Sequence, residues 1–181
     1  GRRPFRVSGN GAATREYTGW PYWITQWTGD TDDPDGTPDD PANDCGPAAA
    51  AAIEVFLGGE YVPPDTIRDA LMGEGGSGYT TFWQLGTWLR SRGIRTDYRW
   101  PGDPVALFRE AWDAGDALLA LFRWRLDQPT SGHFMNVTGV TPDGGLVLHD
   151  PWSGSRRTMT AEEWPAWYKG EAMLVGPGAN T

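Results

Sequence analysis

The chain contains a single cysteine, Cys45, and the residues that follow it form the clearest helix pattern in the sequence. The five consecutive alanines from Ala48 to Ala52 carry the highest intrinsic helix propensity of any residue type. Pro47 suits a first helical turn, where its missing N–H costs nothing, and the glycines at 58–59 provide a C-terminal stop. The sequence therefore predicts a helix that begins near Cys45 and places its thiol at the helix N-terminus.

The position of Cys45 favours a chemical role over a packing role. Unpaired N–H groups and the helix macrodipole favour negative charge at a helix N-terminus, and the thiolate is the nucleophilic form of cysteine. The alternative is a buried core cysteine, which is the common fate of a free thiol. Asp44 and Gly46 argue against this alternative, because a core cysteine usually has apolar neighbours at helical or strand spacing. Cys45 is thus a candidate nucleophile.

Composition limits the functions that are open to the chain. Its 181 residues suit one domain, and no run of about 18 apolar residues predicts a membrane-spanning helix, so no membrane partner is expected. The formal net charge of −9 disfavours nucleic-acid binding, because phosphate recognition needs a basic surface. A single cysteine excludes an internal disulfide and leaves the cellular compartment undecided.

Two stretches near the N-terminus lack the pattern of a helix or strand. Residues 1–19 are polar and contain several glycines, so we expect a flexible N-terminal arm ahead of a single domain over residues 20–181, with an arm that lies on the domain as the alternative. Residues 29–43 hold six aspartates and three prolines and predict an acidic loop inserted in that domain. This loop is either a solvated acidic segment or a structural calcium site, whose spacing matches an EF-hand only in part. The candidate calcium ligands are Asp30, Asp32 and Asp35.

The period of the apolar pattern changes along the rest of the chain. Helical spacing predicts three more helices, over residues 65–72, 81–93 and 103–115. Alternation predicts strands over residues 94–100, 117–126, 132–140, 146–149 and 172–175. Helices that precede a set of antiparallel strands predict an α+β fold, in which the Cys45 helix packs against the C-terminal sheet.

A thiolate nucleophile needs a base beside it and a third group that orients the base. The chain has two histidines, and His133 opens a predicted strand where its side chain can face a cleft. Asp150 follows the next strand, and the hairpin between the two strands can bring its carboxylate beside His133. His133 is therefore the candidate base and Asp150 the candidate orienting group. We interpret His149, on the opposite face of its strand, as a surface histidine or an indirect support of the site.

These residues resemble those of the papain-like cysteine peptidases, and most closely the group related to bacteriocin double-glycine leader peptidases. The resemblance spans roughly residues 20–175 and depends on three motifs, Asn43-Asp44-Cys45-Gly46-Pro47-Ala48, Gly132-His133-Phe134 and His149-Asp150-Pro151-Trp152. It implies a papain-like fold with Cys45, His133 and Asp150 as the catalytic residues. It also implies a glutamine that stabilises the oxyanion together with the Cys45 N–H. Gln26 is the natural match, although the acidic loop separates it from Cys45, and Asn43 is the alternative.

The mechanism that the resemblance implies is acyl transfer. Cys45 attacks a carbonyl carbon, His133 protonates the leaving amine, and water then releases the acyl-enzyme. We expect a monomer that needs no cofactor and acts on peptides or cell-wall peptide crosslinks, since small relatives occur as secreted bacterial or phage-borne enzymes. The candidate substrate-binding residues are Trp27, Trp152 and Gly132, although core packing explains the tryptophans equally well.

Three other functions remain open at this point. A noncatalytic module with a papain-like shell is one, and the intact set of Cys45, His133 and Asp150 argues against it. A metal hydrolase that uses these side chains with His149 is another, but the spacings match no zinc motif. The third is a transferase that passes the acyl group to an amine acceptor by the same chemistry.

Overall fold

The computed structural model describes residues 13–27, 43–73 and 78–178, and within them five helices and seven strands. The helices are α1 (Cys45–Phe56), α2 (Pro64–Met72), α3 (Phe82–Ser91), α4 (Pro104–Ala114) and α5 (Trp164–Trp167). The strands are β1 (Arg15–Glu16), β2 (Ile94–Arg99), β3 (Ala117–Phe122), β4 (His133–Val140), β5 (Leu146–Asp150), β6 (Ser155–Met159) and β7 (Tyr168–Pro177). This arrangement confirms the predicted α+β fold. Within these ranges, every helix is too short or too polar to cross a lipid bilayer.

Helix α1 lies in the interior of the molecule, and every residue from Cys45 to Glu54 is buried. The alanines at 48–52 have no measurable exposure, since their small side chains let neighbouring elements approach on all sides. The helix packs against β4, α2 and α3. The side chain of Asn136 in β4 donates a hydrogen bond of 3.0 Å to the Ala49 carbonyl, which fixes α1 on the sheet. The predicted packing of the nucleophile helix on the sheet is thus confirmed.

The strands form one antiparallel sheet in the order β2-β7-β3-β4-β5-β6, and β1 pairs with the far end of β4. All eight residues of β4 and all five of β5 are buried, so the centre of the sheet is covered on both faces. The pairing of β4 with β5 aligns Asn136 with His149. The two strands therefore bring the beginning of β4 and the end of β5 to the same edge of the fold.

The structure differs from the predicted flexible arm over residues 13–19. Arg15 and Glu16 pair with Val140 and Gly139 of β4, and Tyr17 is only 2 % exposed. The Tyr17 ring packs against several aromatic rings of the core, which the polar character of the preceding residues concealed. Those rings belong to Trp20, Phe56, Phe108 and Trp112. Residues 1–12 lie outside the described residues.

Two element boundaries also differ from the sequence prediction. The strand predicted over residues 117–126 ends at Phe122, and the last strand begins at Tyr168 rather than at residue 172. Strand β6 was not predicted, because four of its five residues are polar and it lies at the edge of the sheet.

The acidic segment 29–42, with Asp30, Asp32 and Asp35, lies outside the described residues, so the calcium site remains a prediction.

Candidate active site

Cys45 is the first residue of α1, directly after Asp44, whose buried carboxylate forms an ion pair of 3.0 Å with Arg68 of α2. The thiol-bearing residue is 5 % exposed, yet it contributes to the wall of a surface cleft. It is therefore neither a solvent-exposed cysteine nor one sealed within the core. Its neighbours are the N–H groups of the first helical turn, which have no partner within the helix.

His133 joins Cys45 to Asp150. The Nε2 atom of His133 lies 2.7 Å from Oδ1 of Asp150, and both side chains are buried. The Cys45 side chain is also within hydrogen-bonding reach of the imidazole. Because Asp150 engages Nε2, Nδ1 is the ring nitrogen that remains for the thiol. The three side chains predicted from the sequence are thus brought together in the order sulfur, imidazole, carboxylate.

The environment of His133 favours the protonated imidazole. Burial lowers the pKa of His133, but the hydrogen bonds with Asp150 and Cys45, together with the charges of both groups, raise it to about 9. An imidazolium beside a sulfur atom stabilises the thiolate electrostatically. The charged imidazole therefore lies beside the Cys45 side chain.

The Asp150 carboxylate is held by groups on both of its oxygens. Oδ1 accepts a second hydrogen bond of 3.0 Å from the Trp152 N–H, and the Arg157 guanidinium lies 3.4 Å from Oδ2. Burial raises the pKa of Asp150, whereas the hydrogen bond and charge of His133, the Trp152 N–H and Arg157 lower it, and the net shift is downward. Asp150 is consequently an anion that fixes the orientation of the His133 ring.

His149 has a structural role, and of the two positions predicted for it the surface one is wrong. The side chain is fully buried between the rings of Trp20 and Tyr22, and its Nε2 donates a hydrogen bond of 2.8 Å to the Ile24 carbonyl. Burial lowers the pKa of His149 to about 4, so the imidazole is neutral. His149 thus ties the segment before the acidic loop to β5.

A cleft of about 730 Å³ opens beside Cys45, between α3 and strands β2, β3 and β7. Most of its wall is apolar or aromatic. The apolar lining residues are Tyr79, Phe82, Trp83, Tyr98, Leu121, Phe134 and Met173. The polar ones include Thr80, Arg90, Thr96, Lys169 and Glu171. The sequence pattern gave no indication of the cleft, because its wall comes from elements that are distant in sequence.

The other predicted site residues are distributed around this centre. Gly132 lines the cleft, next to His133. Gln26 is buried, and its backbone N–H donates a hydrogen bond of 3.0 Å to the backbone carbonyl of Pro151, one residue after Asp150. Asn43 lies two residues before Cys45 and is half-buried. Gln26 thus lies near the carboxylate end of the triad, and the oxyanion roles of Gln26 and Asn43 remain predictions.

Trp27 and Trp152 lie outside the cleft wall, in an aromatic row that leads to His133. The Trp27 ring contacts the Trp152 ring at 4.9 Å, and its indole N–H donates to the Trp152 carbonyl at 2.9 Å. Trp124, which the sequence analysis did not single out, bridges Trp152 at 4.7 Å and His133 at 5.0 Å between ring centroids. The three tryptophans are partly exposed, and Trp124 is the one whose ring contacts the imidazole.

No cluster of three or more histidine, cysteine, aspartate or glutamate side chains in the described part of the chain is arranged to hold a metal ion. His149 points to the Ile24 carbonyl rather than to Cys45, so it does not join the group of side chains proposed for a metal hydrolase.

Comparison with known proteins gives matches at the level of structure alone. The sequence matches no protein-family model, and it matches no curated protein. The peptidase domain of Streptococcus ComA, a bifunctional ABC transporter involved in quorum sensing, superimposes with a TM-score of 0.58 at 19 % identity. The match covers 78 % of this chain and 96 % of that domain. This chain has the fold of a double-glycine leader peptidase domain.

Two further structures share this papain-like leader-peptidase fold. A C39-like peptidase from Bacillus anthracis matches with a TM-score of 0.55 at 13 % identity, over 74 % of this chain and 88 % of that one. A double-glycine motif protease from an AMS/PCAT transporter, solved in complex with a leader peptide, matches with a TM-score of 0.52 at 16 % identity, over 74 % of this chain and 84 % of that one. The fold that the sequence motifs implied is confirmed.

Proposed function

We propose that this protein is a cysteine peptidase that hydrolyses peptide bonds with Cys45 as nucleophile, His133 as acid–base and Asp150 as orienting group. The observation that carries the proposal is the position of the His133 ring, within hydrogen-bonding reach of the Cys45 side chain and 2.7 Å from Asp150. The likeness to peptidase domains supports it, and in this chain Cys45 begins α1, His133 begins β4 and Asp150 ends β5.

The chemistry proceeds through an acyl-enzyme. The Cys45 thiolate attacks the scissile carbonyl carbon, and the negative charge that develops on the carbonyl oxygen is stabilised by the Cys45 N–H at the start of α1. A side-chain amide is the second donor, and we assign this role to Gln26, with Asn43 as the alternative. His133 gives its proton to the leaving amine as the C–N bond breaks. His133 then removes a proton from the water that attacks the thioester. The carbon–sulfur bond breaks, and Cys45 leaves as the free thiolate.

The substrates that we propose are peptides, including those with a double-glycine cleavage site. The double-glycine motif protease of the AMS/PCAT transporter was solved with a leader peptide, and the apolar cleft beside Cys45 offers a place for a peptide chain in this protein. Cell-wall peptide crosslinks are the second substrate class. An aromatic cleft with few charges favours apolar or neutral side chains over strongly charged ones.

Replacement of Cys45 by alanine tests the proposed activity. We expect Cys45→Ala to abolish hydrolysis in a screen of peptide libraries, double-glycine peptides and cell-wall digests, because the alanine side chain cannot attack the carbonyl. The variant should remain folded, since alanine differs from cysteine by one buried sulfur atom. The measurement is release of new peptide amines by wild type and variant, with thermal unfolding as the control for folding. Equal rates in the two proteins would refute the peptidase function.

Thiol labelling separates this function from a noncatalytic papain-like module. An activated thiolate reacts quickly with iodoacetamide near neutral pH, whereas an inert buried thiol does not. The matched control is His133→Ala, which keeps the cysteine and removes the imidazolium beside it. Slow labelling that is identical in wild type and His133→Ala would favour the noncatalytic module.

A further inference from the structure

Thr80 lies in the wall of the cleft, in the short segment between Gly78 and helix α3. Its side chain is only 6 % exposed. The next residue, Thr81, has an ordinary structural role, because its hydroxyl caps α3 by accepting a hydrogen bond of 3.2 Å from the Gln84 N–H. The cap of α3 therefore uses the Thr81 hydroxyl and leaves the Thr80 hydroxyl unused.

The Thr80 hydroxyl is buried without a hydrogen-bond partner among the described residues. A buried hydroxyl without a partner reduces stability, because it loses its hydrogen bonds to water and gains none in return. The free protein thus keeps, beside an apolar wall, a group that can both donate and accept a hydrogen bond.

This hydroxyl is close to the nucleophile. A β-carbon built on Gly46, the residue directly after Cys45, would lie 2.2 Å from Thr80 Oγ1. The absence of a side chain at Gly46 therefore leaves room for Thr80 beside the first turn of α1. The cleft wall includes Cys45, Thr80 and Gly132, whereas the Trp124 ring contacts the imidazole of His133 and the ring of Trp152.

We propose that Thr80 is a substrate-binding residue whose hydroxyl forms a hydrogen bond with the peptide backbone on the acyl side of the scissile bond. In the proposed reaction, on which this inference rests, the leaving amine must lie beside His133 to receive its proton. The acyl part of the peptide then extends along the cleft that Cys45 and Thr80 line. A backbone N–H or C=O in that position satisfies the buried hydroxyl.

The test compares a peptide reagent with a small one on the same thiol. Acetyl-Gly-Gly chloromethyl ketone carries a peptide backbone into the cleft before Cys45 displaces chloride and forms a carbon–sulfur bond, whereas iodoacetamide carries none. Thr80→Val removes the hydroxyl and keeps the shape of the side chain. Thr80→Ser keeps the hydroxyl, and Thr158→Val is a control at an exposed residue of β6.

We expect Thr80→Val to lower the second-order rate constant of the chloromethyl ketone about 3- to 10-fold, the effect of one uncharged hydrogen bond. Thr80→Ser should stay within about twofold of wild type for this reagent. Iodoacetamide should alkylate Cys45 at the same rate in all four proteins. The melting temperature of Thr80→Val should equal or exceed that of wild type, because a methyl group replaces a hydroxyl that has no partner.

Two results would overturn the inference about Thr80 while leaving the peptidase function intact. One is a wild-type rate for Thr80→Val with the chloromethyl ketone. The other is a lower melting temperature with an equal loss of rate for both reagents, which indicates that Thr80 supports the fold. A wild-type protein that reacts with iodoacetamide but not with the peptide reagent would refute the proposed function and the inference with it.

Discussion

His133 and His149 lie on neighbouring strands, yet their surroundings favour opposite charge states. His133 faces a carboxylate and a sulfur atom, and its pKa rises to about 9 despite burial. His149 faces a backbone carbonyl and two aromatic rings, and burial lowers its pKa to about 4. At neutral pH the first imidazole is therefore a cation and the second is neutral. This difference, rather than their positions in the sequence, distinguishes the proposed acid–base residue from the structural one.

The charge of Asp150 should control the alkaline limit of activity. Asp150→Asn keeps a hydrogen-bond acceptor for His133 and loses the charge, whereas Asp150→Ala loses both. The hydrogen bond and the charge of Asp150 both raise the pKa of His133. We therefore expect the alkaline limb of kcat/KM to move from about pH 9 in wild type to lower pH in Asp150→Asn, and to still lower pH in Asp150→Ala. The direction follows because the imidazolium, which the leaving amine needs, is lost as pH rises through this pKa.

The rate at the pH optimum provides a second measurement on the same variants. Asp150→Ala should lower kcat/KM about 10²-fold, because an unoriented imidazole transfers protons poorly. Asp150→Asn should lose less, since its amide oxygen can still orient the ring. The measurement is a pH–rate profile with a peptide substrate found in the screen. Alkaline limbs that coincide in all three proteins would contradict a role for Asp150 in setting the pKa of His133.

At the scale of elements, the position of Cys45 depends on close packing around the first turn of α1. Gly46 is surrounded by the side chains of Thr80, Leu85 and Phe134, and a β-carbon there would lie 2.2, 3.0 and 3.2 Å from their nearest atoms. Three elements therefore meet at a residue without a side chain. The position of Cys45 relative to the cleft is fixed by this contact.

Gly46→Ala should destabilise the protein by ~1–3 kcal/mol, because the added methyl group overlaps short, buried side chains that cannot move aside. The matched control is Gly86→Ala in α3, where the nearest atom is the end of the flexible Arg90 side chain at 2.9 Å. This control should be neutral or should stabilise by up to ~1 kcal/mol, since alanine favours the helix. Urea unfolding of both variants gives the comparison. Equal stability of the two would contradict the packing described for Gly46.

The sequence was sufficient for the elements that carry strong local patterns. Helix α1 was predicted to within one residue of its end, because an alanine run between Pro47 and Gly58 allows few other structures. The β4–β5 hairpin, and through it the pairing of His133 with Asp150, followed from alternation. Strand β6 was missed because an edge strand needs no apolar face. The cleft was missed because side chains from α3, β2, β3 and β7 converge only in three dimensions.

At the scale of the whole molecule, the segment around Tyr17 joins helix α1 to helix α4. Tyr17 packs on Phe56 of α1 and on Phe108 and Trp112 of α4, and its hydroxyl donates to the Asp116 carbonyl. The residues before Tyr17 form β1, and those after it form a turn that leads to Trp20. The N-terminal segment is thus part of the core from Arg15 onward.

Tyr17→Ala should destabilise the fold by ~3–5 kcal/mol, the range for removal of a large buried aromatic side chain. Trp83→Ala is the control, since Trp83 is 76 % exposed and its loss should change the free energy of unfolding by no more than ~0.5 kcal/mol. Chemical denaturation followed by circular dichroism measures both. A Tyr17→Ala variant as stable as wild type would mean that the segment is dispensable, as a flexible arm would be.

The sulfur and the imidazole of the proposed catalytic pair belong to the first residues of two deeply buried elements, α1 and β4. Segments of this kind open only when the entire chain opens, whereas loops and lids open at much lower free energy. Backbone amides in the middle of both segments should consequently exchange with deuterium at the slowest rates in the molecule. Heating should therefore not separate the sulfur from the imidazole before the protein unfolds. Loss of activity and loss of tertiary structure should then occur in the same thermal transition.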